Sequence, residues 1–157
     1  MERNVLIRRN VFATNAKQRE KRRKRIMKII SPIYVILPRK TKKDKKVALN
    51  LNVYRNLCFQ VNNQVKVIYN AEMFGQLSRL SFKNKIDLEL VLYKPSKRKI
   101  DRSNILCIVE KFFCDALTRA GCITDDNDEH IRSTKYRTGG VDKDNPRVEI
   151  FITEGAE

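Results

Sequence analysis

The sequence predicts an α+β fold in which a mixed β-sheet packs against two main helices. The chain of 157 residues has the length of one domain, and its hydrophobic content of 41% is that of a globular protein. Two segments repeat apolar residues at three- and four-residue steps, as helices do. Several shorter segments alternate apolar and polar residues or are rich in β-branched ones, as strands are.

The chain is predicted to consist of a basic arm over residues 1–28 and a compact domain over residues 29–157. The arm has 11 Lys and Arg, five of them in the run from Lys21 to Arg25. Such blocks of like charge are usually flexible and often bind nucleic acid. Two alternatives are a short helix over residues 16–28 and a true translation start at Met27. The arm lacks the apolar stretch of a secretory signal.

The compact domain is predicted to begin with two strands and a helix. Residues 33–37 are rich in β-branched side chains and end at a proline, and residues 39–46 follow as a basic loop. Residues 49–56 are taken as the second strand. A helix over residues 62–80 is predicted because apolar side chains recur at helical steps at Val65, Ile68, Tyr69, Met73, Leu77 and Leu80.

The second half is predicted as strand, helix, strand, strand. Residues 86–93 alternate and then run apolar, as a half-buried strand does. The next helix has one apolar stripe, with Ser103 or Asn104 as its cap and Gly121 just past its end. The stripe consists of Ile105, Ile108, Val109, Phe112, Phe113, Ala116, Leu117 and Ala120. Residues 131–136 and 147–153 are the last two strands, joined through two glycines and an Asn-Pro turn.

Charge is unevenly distributed along the chain, whose net charge is +16. Residues 1–100 contain 26 Lys and Arg against 6 Asp and Glu, whereas residues 101–157 contain 8 against 12. A strong positive excess makes a polyanion the leading partner, with nucleic acid first because binding it releases counterions. A membrane surface, an acidic protein or ordinary solvated surface are the alternatives.

The composition excludes several chemistries. The single histidine, His130, rules out sites that need two imidazoles. The four cysteines contain no C-x-x-C pair and are expected to be reduced, in an intracellular, cytoplasmic protein. No phosphate-binding glycine loop, nucleophile elbow or membrane-spanning run occurs. Any catalysis is therefore expected to come from carboxylates and a metal that they hold.

Aspartates gather near both ends of the second helix. Asp101 precedes it, Asp115 lies on it, and Asp125 and Asp126 follow it. A helix of about 17 residues is roughly 25 Å long, so Asp101 and Asp126 share a site only if the chain folds back. Asp115 is alternatively a surface acid paired with Lys111, and the acidic turn alternatively a solvated loop. Crowded carboxylates favour a cation such as Mg²⁺ or Mn²⁺, which supports phosphodiester cleavage.

Three segments together resemble the RusA-type Holliday-junction resolvase family. They read KIDRSN over residues 99–104, FCDALTRAG over residues 113–121 and ITDD over residues 123–126. Residues 51–55 and 147–150 are similar to the early asparagine and arginine segment and the last strand of that family. The resemblance covers residues 33–153 and implies a homodimer that binds four-way DNA junctions and nicks opposing strands with Mg²⁺, in DNA recombination and repair.

The resemblance also implies roles for particular residues. Asp101 and Asp126 match metal-binding aspartates, with Asp115, Lys111 and Asn104 matching further motif positions. Ser103 stands where the family has a second motif aspartate, and Asp125 or Asp115 is the candidate replacement for its charge. The helix between Asn104 and Asp115 is about one turn longer than in the family pattern.

The resulting hypothesis is a Mg²⁺-dependent endonuclease for branched DNA without a small-molecule cofactor or a membrane partner. Its catalytic residues are Asp101, Asp126, Asp115 and Lys111, and its metal ligands are Asp101, Asp126 and Asp125. The predicted DNA contacts are Arg39, Lys40, Lys42, Lys43, Arg55, Lys97, Arg98, Lys99 and Asn104. A prophage or phage origin would suit such a protein. The rival hypotheses are a non-catalytic nucleic-acid-binding protein and an antagonist of an acidic protein.

Overall fold

The computed structural model of the protein describes residues 25–155, which form six β-strands and three α-helices. In chain order these are β1 (Ile26–Pro32), β2 (Tyr34–Leu37), β3 (Lys45–Ala48), α1 (Leu51–Asn56), α2 (Phe59–Leu77), β4 (Ile86–Lys94), α3 (Arg102–Arg119), β5 (Ile131–Val141) and β6 (Arg147–Glu154). Residues 1–24 of the predicted basic arm lie outside the described residues, whereas residues 26–28 belong to β1. None of these three helices is long and apolar enough to cross a membrane.

Four of the strands form one mixed sheet in the order β1-β6-β4-β5. β6 is antiparallel to both of its neighbours, and β4 is parallel to β5. Parallel neighbours need a crossover connection, which α3 supplies between β4 and β5. β2 and β3 form a separate antiparallel hairpin. The predicted α+β fold with a mixed sheet is therefore confirmed.

The hydrophobic core lies between one face of the sheet and the two longer helices. Alternate residues of β4 and β6 are buried on this face, namely Leu88, Leu90, Leu92, Val148, Ile150 and Ile152. From the helices, the buried rings of Tyr69 on α2 and Phe112 on α3 lie with their centroids 5.7 Å apart. Aromatic pairs at this distance attract each other beyond the area they bury. This apolar layer holds α3 on the sheet.

Both ends of α3 have recognisable caps. At its start the Oδ1 atom of Asp101 accepts a hydrogen bond from the backbone N–H of Ser103 at 3.0 Å. Asp101 is therefore the N-cap residue, and the predicted cap at Ser103 or Asn104 is wrong by two or three positions. At the other end Gly121 has a φ of +74°, the left-handed conformation that favours glycine after a helix, as predicted.

Residues 51–56 form α1 rather than the predicted second strand. The side-chain oxygen of Asn50 accepts a hydrogen bond from the N–H of Val53 at 2.9 Å and caps the helix. The strand lies just before it, at β3, whose first two residues are the last two of the predicted basic loop. Lysines have little preference for strands, so Lys45 and Lys46 are extended because they pair with β2.

β5 continues through Gly139 and Gly140, where a connection was predicted. A Cβ atom on Gly139 would lie only 2.7 Å from the ring of Tyr93 and 2.8 Å from the side chain of Val91. Glycine therefore allows β5 to approach β4 closely at this point. β5 and β6 follow each other in the chain but are not neighbours, because β4 lies between them.

The outer edge of β1 is closed by a side chain of α2. The amide oxygen of Gln76 accepts a hydrogen bond from the N–H of Ile30 at 2.9 Å. The amide nitrogen of Gln76 donates one to the carbonyl oxygen of Ile30 at 2.8 Å. Backbone groups on an edge strand need such partners because no further strand supplies them.

The sheet face opposite the core is held by ion pairs. Glu149, buried on β6, lies 2.9 Å from the Nζ atom of Lys28 and 2.8 Å from a guanidinium nitrogen of Arg147. The remaining pairs of this face are Arg147 with Asp142, Arg132 with Asp87, and Arg137 with Glu89. The edge strands β1 and β5 therefore supply Lys28, Arg132 and Arg137 to the acidic residues of the two central strands, and Arg147 of β6 adds a fourth cation.

Candidate functional site

The candidate site is a polar pocket of about 420 Å³ between α3, the start of β5 and the acidic turn that connects them. It has acidic, basic and sulfur-containing side chains in its wall. The lining residues are Cys107, Glu110, Lys111, Cys114, Asp126, Asn127, Asp128, Ile131, Arg132, Ser133 and Thr134. A concave site with convergent polar groups is the expected place for ligand binding or catalysis in a protein of this size.

One face of α3 forms a wall of the pocket. Glu110 and Lys111 each lie three or four residues from both Cys107 and Cys114, so the four side chains project from the same side of the helix. The apolar stripe that packs into the core borders this face, because Val109 and Phe112 flank Glu110 and Lys111 in the sequence. The core therefore sets the direction in which the polar side chains point.

Glu110 is held by a tyrosine from the sheet. The hydroxyl of Tyr136, on the core-facing side of β5, donates a hydrogen bond to the Oε2 atom of Glu110. Burial raises the pKa of Tyr136 well above its ordinary value, and the hydrogen bond and negative charge of Glu110 raise it further. Tyr136 is therefore a neutral donor that orients Glu110 without cancelling its charge.

The acidic turn orders itself through its own side chains. The Oδ1 atom of Asp125 accepts a hydrogen bond from the N–H of Asp126 at 2.9 Å, and its Oδ2 atom accepts one from the side-chain amide of Asn127 at 3.0 Å. Such bonds between an Asx side chain and the next residues stabilise turns. Asp125 thus supports the turn, whereas Asp126 lines the pocket.

The two cysteines of the pocket are neutral thiols. Burial raises the pKa of Cys114 to about 12, and the negative charges of Glu110 and Asp126 act in the same direction. Burial also raises the pKa of Cys107, whereas hydrogen bonds with the backbone and, to a smaller extent, the positive charge of Arg55 on α1 oppose this. The carboxylates of Glu110, Asp126 and Asp115 therefore all act on one buried thiol.

The structure does not bring Asp101 into this group. Asp101 is exposed at the start of α3, where it caps the helix. It precedes Lys111 by ten residues, which corresponds to about 15 Å along the helix axis. Asn104 lies between them, one turn before Cys107, and its carbonyl oxygen accepts the Cys107 thiol at 3.8 Å. The predicted metal role of Asp101 remains a prediction.

Asp115 faces α2 rather than the pocket. Its Oδ2 atom lies 2.5 Å from the Nζ atom of Lys66, and both side chains are about a quarter exposed. The alternative partner, Lys111, lines the pocket instead. Asp115 therefore joins two helices, and its predicted catalytic role remains a prediction.

Eight of the nine predicted DNA contacts are exposed, in three places, whereas Asn104 on α3 is half-buried. Arg39, Lys40, Lys42 and Lys43 are exposed in the turn between β2 and β3. The turn is closed by the Nε atom of Arg39, which donates to the carbonyl oxygen of Lys43 at 2.8 Å. Arg55 is exposed on α1. Lys97, Arg98 and Lys99 are exposed in the loop that leads into α3.

The pocket offers the oxygen ligands that Mg²⁺ and Mn²⁺ prefer, but few of them. Within residues 25–155, no three His, Cys, Asp or Glu side chains converge closely enough to hold a metal ion by themselves. Mg²⁺ commonly takes one or two carboxylates and completes its shell with water and substrate phosphates. The donors of the pocket fit an ion that is held by two carboxylates and completes its shell with water.

Sequence reasoning identified Asp126 and Lys111 in this pocket but missed Glu110, Asp128 and Tyr136. Glu110 could have been noticed because it follows Ser103 by seven residues and therefore lies on the same face of the helix. The hydrogen bond between Glu110 and Tyr136 could not have been predicted, because 26 residues separate the two. Only the parallel pairing of β5 with β4 brings them together.

No family model matches the chain, and no curated protein matches its sequence. Any functional assignment therefore rests on the motifs quoted above and on the geometry of the pocket.

Proposed function

We propose that the protein is a Mg²⁺-dependent endodeoxyribonuclease that resolves four-way DNA junctions by paired nicking. The observation that carries the proposal is the pocket itself. In the part of the chain that the structure describes, none of the ion pairs involves Glu110 or Asp126, although the protein has a large excess of cations. Carboxylates kept apart from available cations are candidates for chemistry rather than for stability.

The proposed chemistry divides the roles among the residues of the pocket. Asp126, with one further carboxylate, would hold the metal ion, which when bound activates water and stabilises charge on the phosphate. Lys111 projects into the same space and can neutralise a phosphate oxygen of the bound strand. Asp125 keeps the acidic turn in shape and so keeps Asp126 in position.

The exposed basic residues supply the grip on DNA. The turn between β2 and β3, Arg55 and the loop before α3 present cations on the surface, and phosphate contacts of this kind provide most of the non-specific affinity. Paired nicking of a junction needs two active sites, so the proposal includes a homodimer. The basic arm would add to the affinity for DNA.

The test is cleavage of a synthetic four-way junction by wild type, Asp126→Asn and Asp101→Asn in Mg²⁺. Asp126→Asn is expected to nick at least about 100-fold more slowly, since it removes the charge that holds the metal, and to bind the junction without metal at least as tightly as wild type. Asp101→Asn removes the charge of Asp101 but keeps the helix cap, because Asn also caps helices. This variant therefore tests a chemical role of Asp101 apart from its structural role. Nicking by Asp126→Asn at the wild-type rate would contradict the proposal.

The alternative is a non-catalytic nucleic-acid-binding protein. The net charge of +16 supports it equally well, and the small number of converging metal ligands favours it. On this alternative, divalent ions only screen charge, and no variant of the pocket changes anything except affinity. Nicking that requires Mg²⁺ and depends on Asp126 would exclude it.

A further inference from the structure

We infer that Glu110 is the second carboxylate of the proposed nuclease site, acting with Asp126, and that Tyr136 is the residue that positions it. The inference rests on the proposed function and names residues for it that the sequence motifs do not. It replaces Asp101, which lies at the start of α3, with a residue in the wall of the pocket.

The first support is the position of Glu110. It lines the same pocket as Asp126 and Lys111. Asp101, by comparison, already uses its Oδ1 atom to cap α3. Of the acidic residues of α3, Glu110 is thus the one that lines the pocket together with Asp126. Asp128 of the acidic turn also lines it but is exposed, whereas Glu110 is half-buried.

The second support is the kind of partner that Glu110 has. Tyr136 donates one hydrogen bond to Oε2, and a phenol hydroxyl brings no positive charge. A half-buried carboxylate that is oriented by a neutral donor keeps its charge for a ligand. Orienting partners of this kind commonly adjust the affinity of a metal ligand by about 10–100-fold.

The third support comes from the helix geometry. Ser103 stands where the motif leads one to expect an acid, and Glu110 follows it by seven residues. Seven residues are close to two helical turns, so both side chains leave α3 in nearly the same direction. Glu110 therefore supplies, on the same face of α3 and two turns further along, the negative charge that Ser103 lacks.

The experiment uses the full chain and measures two quantities. Mn²⁺ binding to the protein alone is measured by electron paramagnetic resonance, and Mg²⁺-dependent nicking of a four-way junction is measured in single turnover. The variants are Glu110→Gln, Tyr136→Phe and the double variant. Tyr69→Phe is the matched control, because Tyr69 is a core tyrosine outside the pocket that likewise loses one hydrogen bond, the 2.7 Å bond with Ser31. Glu89→Gln removes a charge from the other face of the sheet.

Glu110→Gln is expected to weaken Mn²⁺ binding and slow nicking by about 100-fold, and Tyr136→Phe to weaken Mn²⁺ binding by about 10-fold. The double variant is expected to resemble Glu110→Gln, because a positioning residue has nothing left to position. The two controls are expected to match wild type in both measurements.

Two outcomes would overturn the inference in distinguishable ways. If Asp126→Asn loses Mn²⁺ binding and nicking while Glu110→Gln retains both, Glu110 has no part in the site and the proposed function stands. If wild type neither binds Mn²⁺ nor nicks the junction, the proposed function and the inference fail together. Additive losses in the double variant would remove the positioning role of Tyr136 alone.

Discussion

Two acidic residues of α3, five positions apart, have opposite surroundings. Asp115 lies against α2, where the ammonium group of Lys66 is 2.5 Å from its carboxylate. Glu110 faces β5 and the pocket, where the hydroxyl of Tyr136 is its hydrogen-bond donor. A carboxylate bonded to a cation contributes to the fold, because its charge is already compensated. A carboxylate held by a neutral hydroxyl stays available to a ligand.

The same distinction separates the two faces of the sheet. On the face opposite the core, Glu149 is compensated by Lys28 and Arg147. On the helix side, Asp126 and Glu110 line the pocket. Three changes can break or sharpen this comparison.

The largest effect is expected from adding a cation to the pocket. Thr134→Lys places an ammonium group in the pocket wall, where it can pair with Glu110 or Asp126 and compensate their charge. Nicking of a four-way junction in Mg²⁺ is expected to fall by about 100-fold, while affinity for the junction without metal stays equal or rises. Thr134→Met is the control of similar length without charge. Equal losses in both variants would mean that shape, not charge, governs the pocket.

The next effect is expected from removing the cation beside Asp115. Lys66→Met leaves a partly buried carboxylate without its partner, which is expected to lower the free energy of unfolding by about 1–2 kcal/mol. This is less than for a fully buried pair because both side chains are about a quarter exposed. Urea denaturation measures the loss, and the nicking rate at 25 °C is expected to be unchanged. A large loss of nicking in a stably folded variant would indicate that Asp115 belongs to the active site.

The smallest effect is expected at acid pH. The hydrogen bond from Lys28, helped by Arg147 and opposed by burial, holds the pKa of Glu149 below its ordinary value of 4.5. A lowered pKa stabilises the fold above the unfolded value, and this contribution is lost as pH falls below 4.5 through the folded value. Glu149→Gln and Lys28→Met are therefore both expected to flatten the acid side of a plot of stability against pH. Identical acid limbs in wild type and Glu149→Gln would contradict this pairing.

Sequence reasoning predicted the elements whose side chains carry a strong period. The stripe of α3 and the alternation of β4 depend on local spacing, and both elements are present in the structure. α1 and β3 were missed because their states depend on a single cap at Asn50 and on pairing with β2. Such contacts override intrinsic preferences in short segments.

The candidate site was predictable only in part for a similar reason. Lys111 and Asp126 follow from a motif, and the structure brings them to one pocket. The pairing of Glu110 with Tyr136 depends on which strand lies beside α3. The strand that lies beside α3 is determined by the order of strands in the sheet, which no local sequence pattern encodes.

The side-chain amide of Gln76 has a consequence for how copies of this protein meet. An open strand edge is a template on which another chain can add a strand and begin to aggregate. Another chain that paired with β1 at Ile30 would first have to displace both hydrogen bonds of Gln76. The amide of Gln76 thus occupies the hydrogen-bonding positions that a further strand would use at Ile30. It protects this edge of the sheet against the addition of other chains.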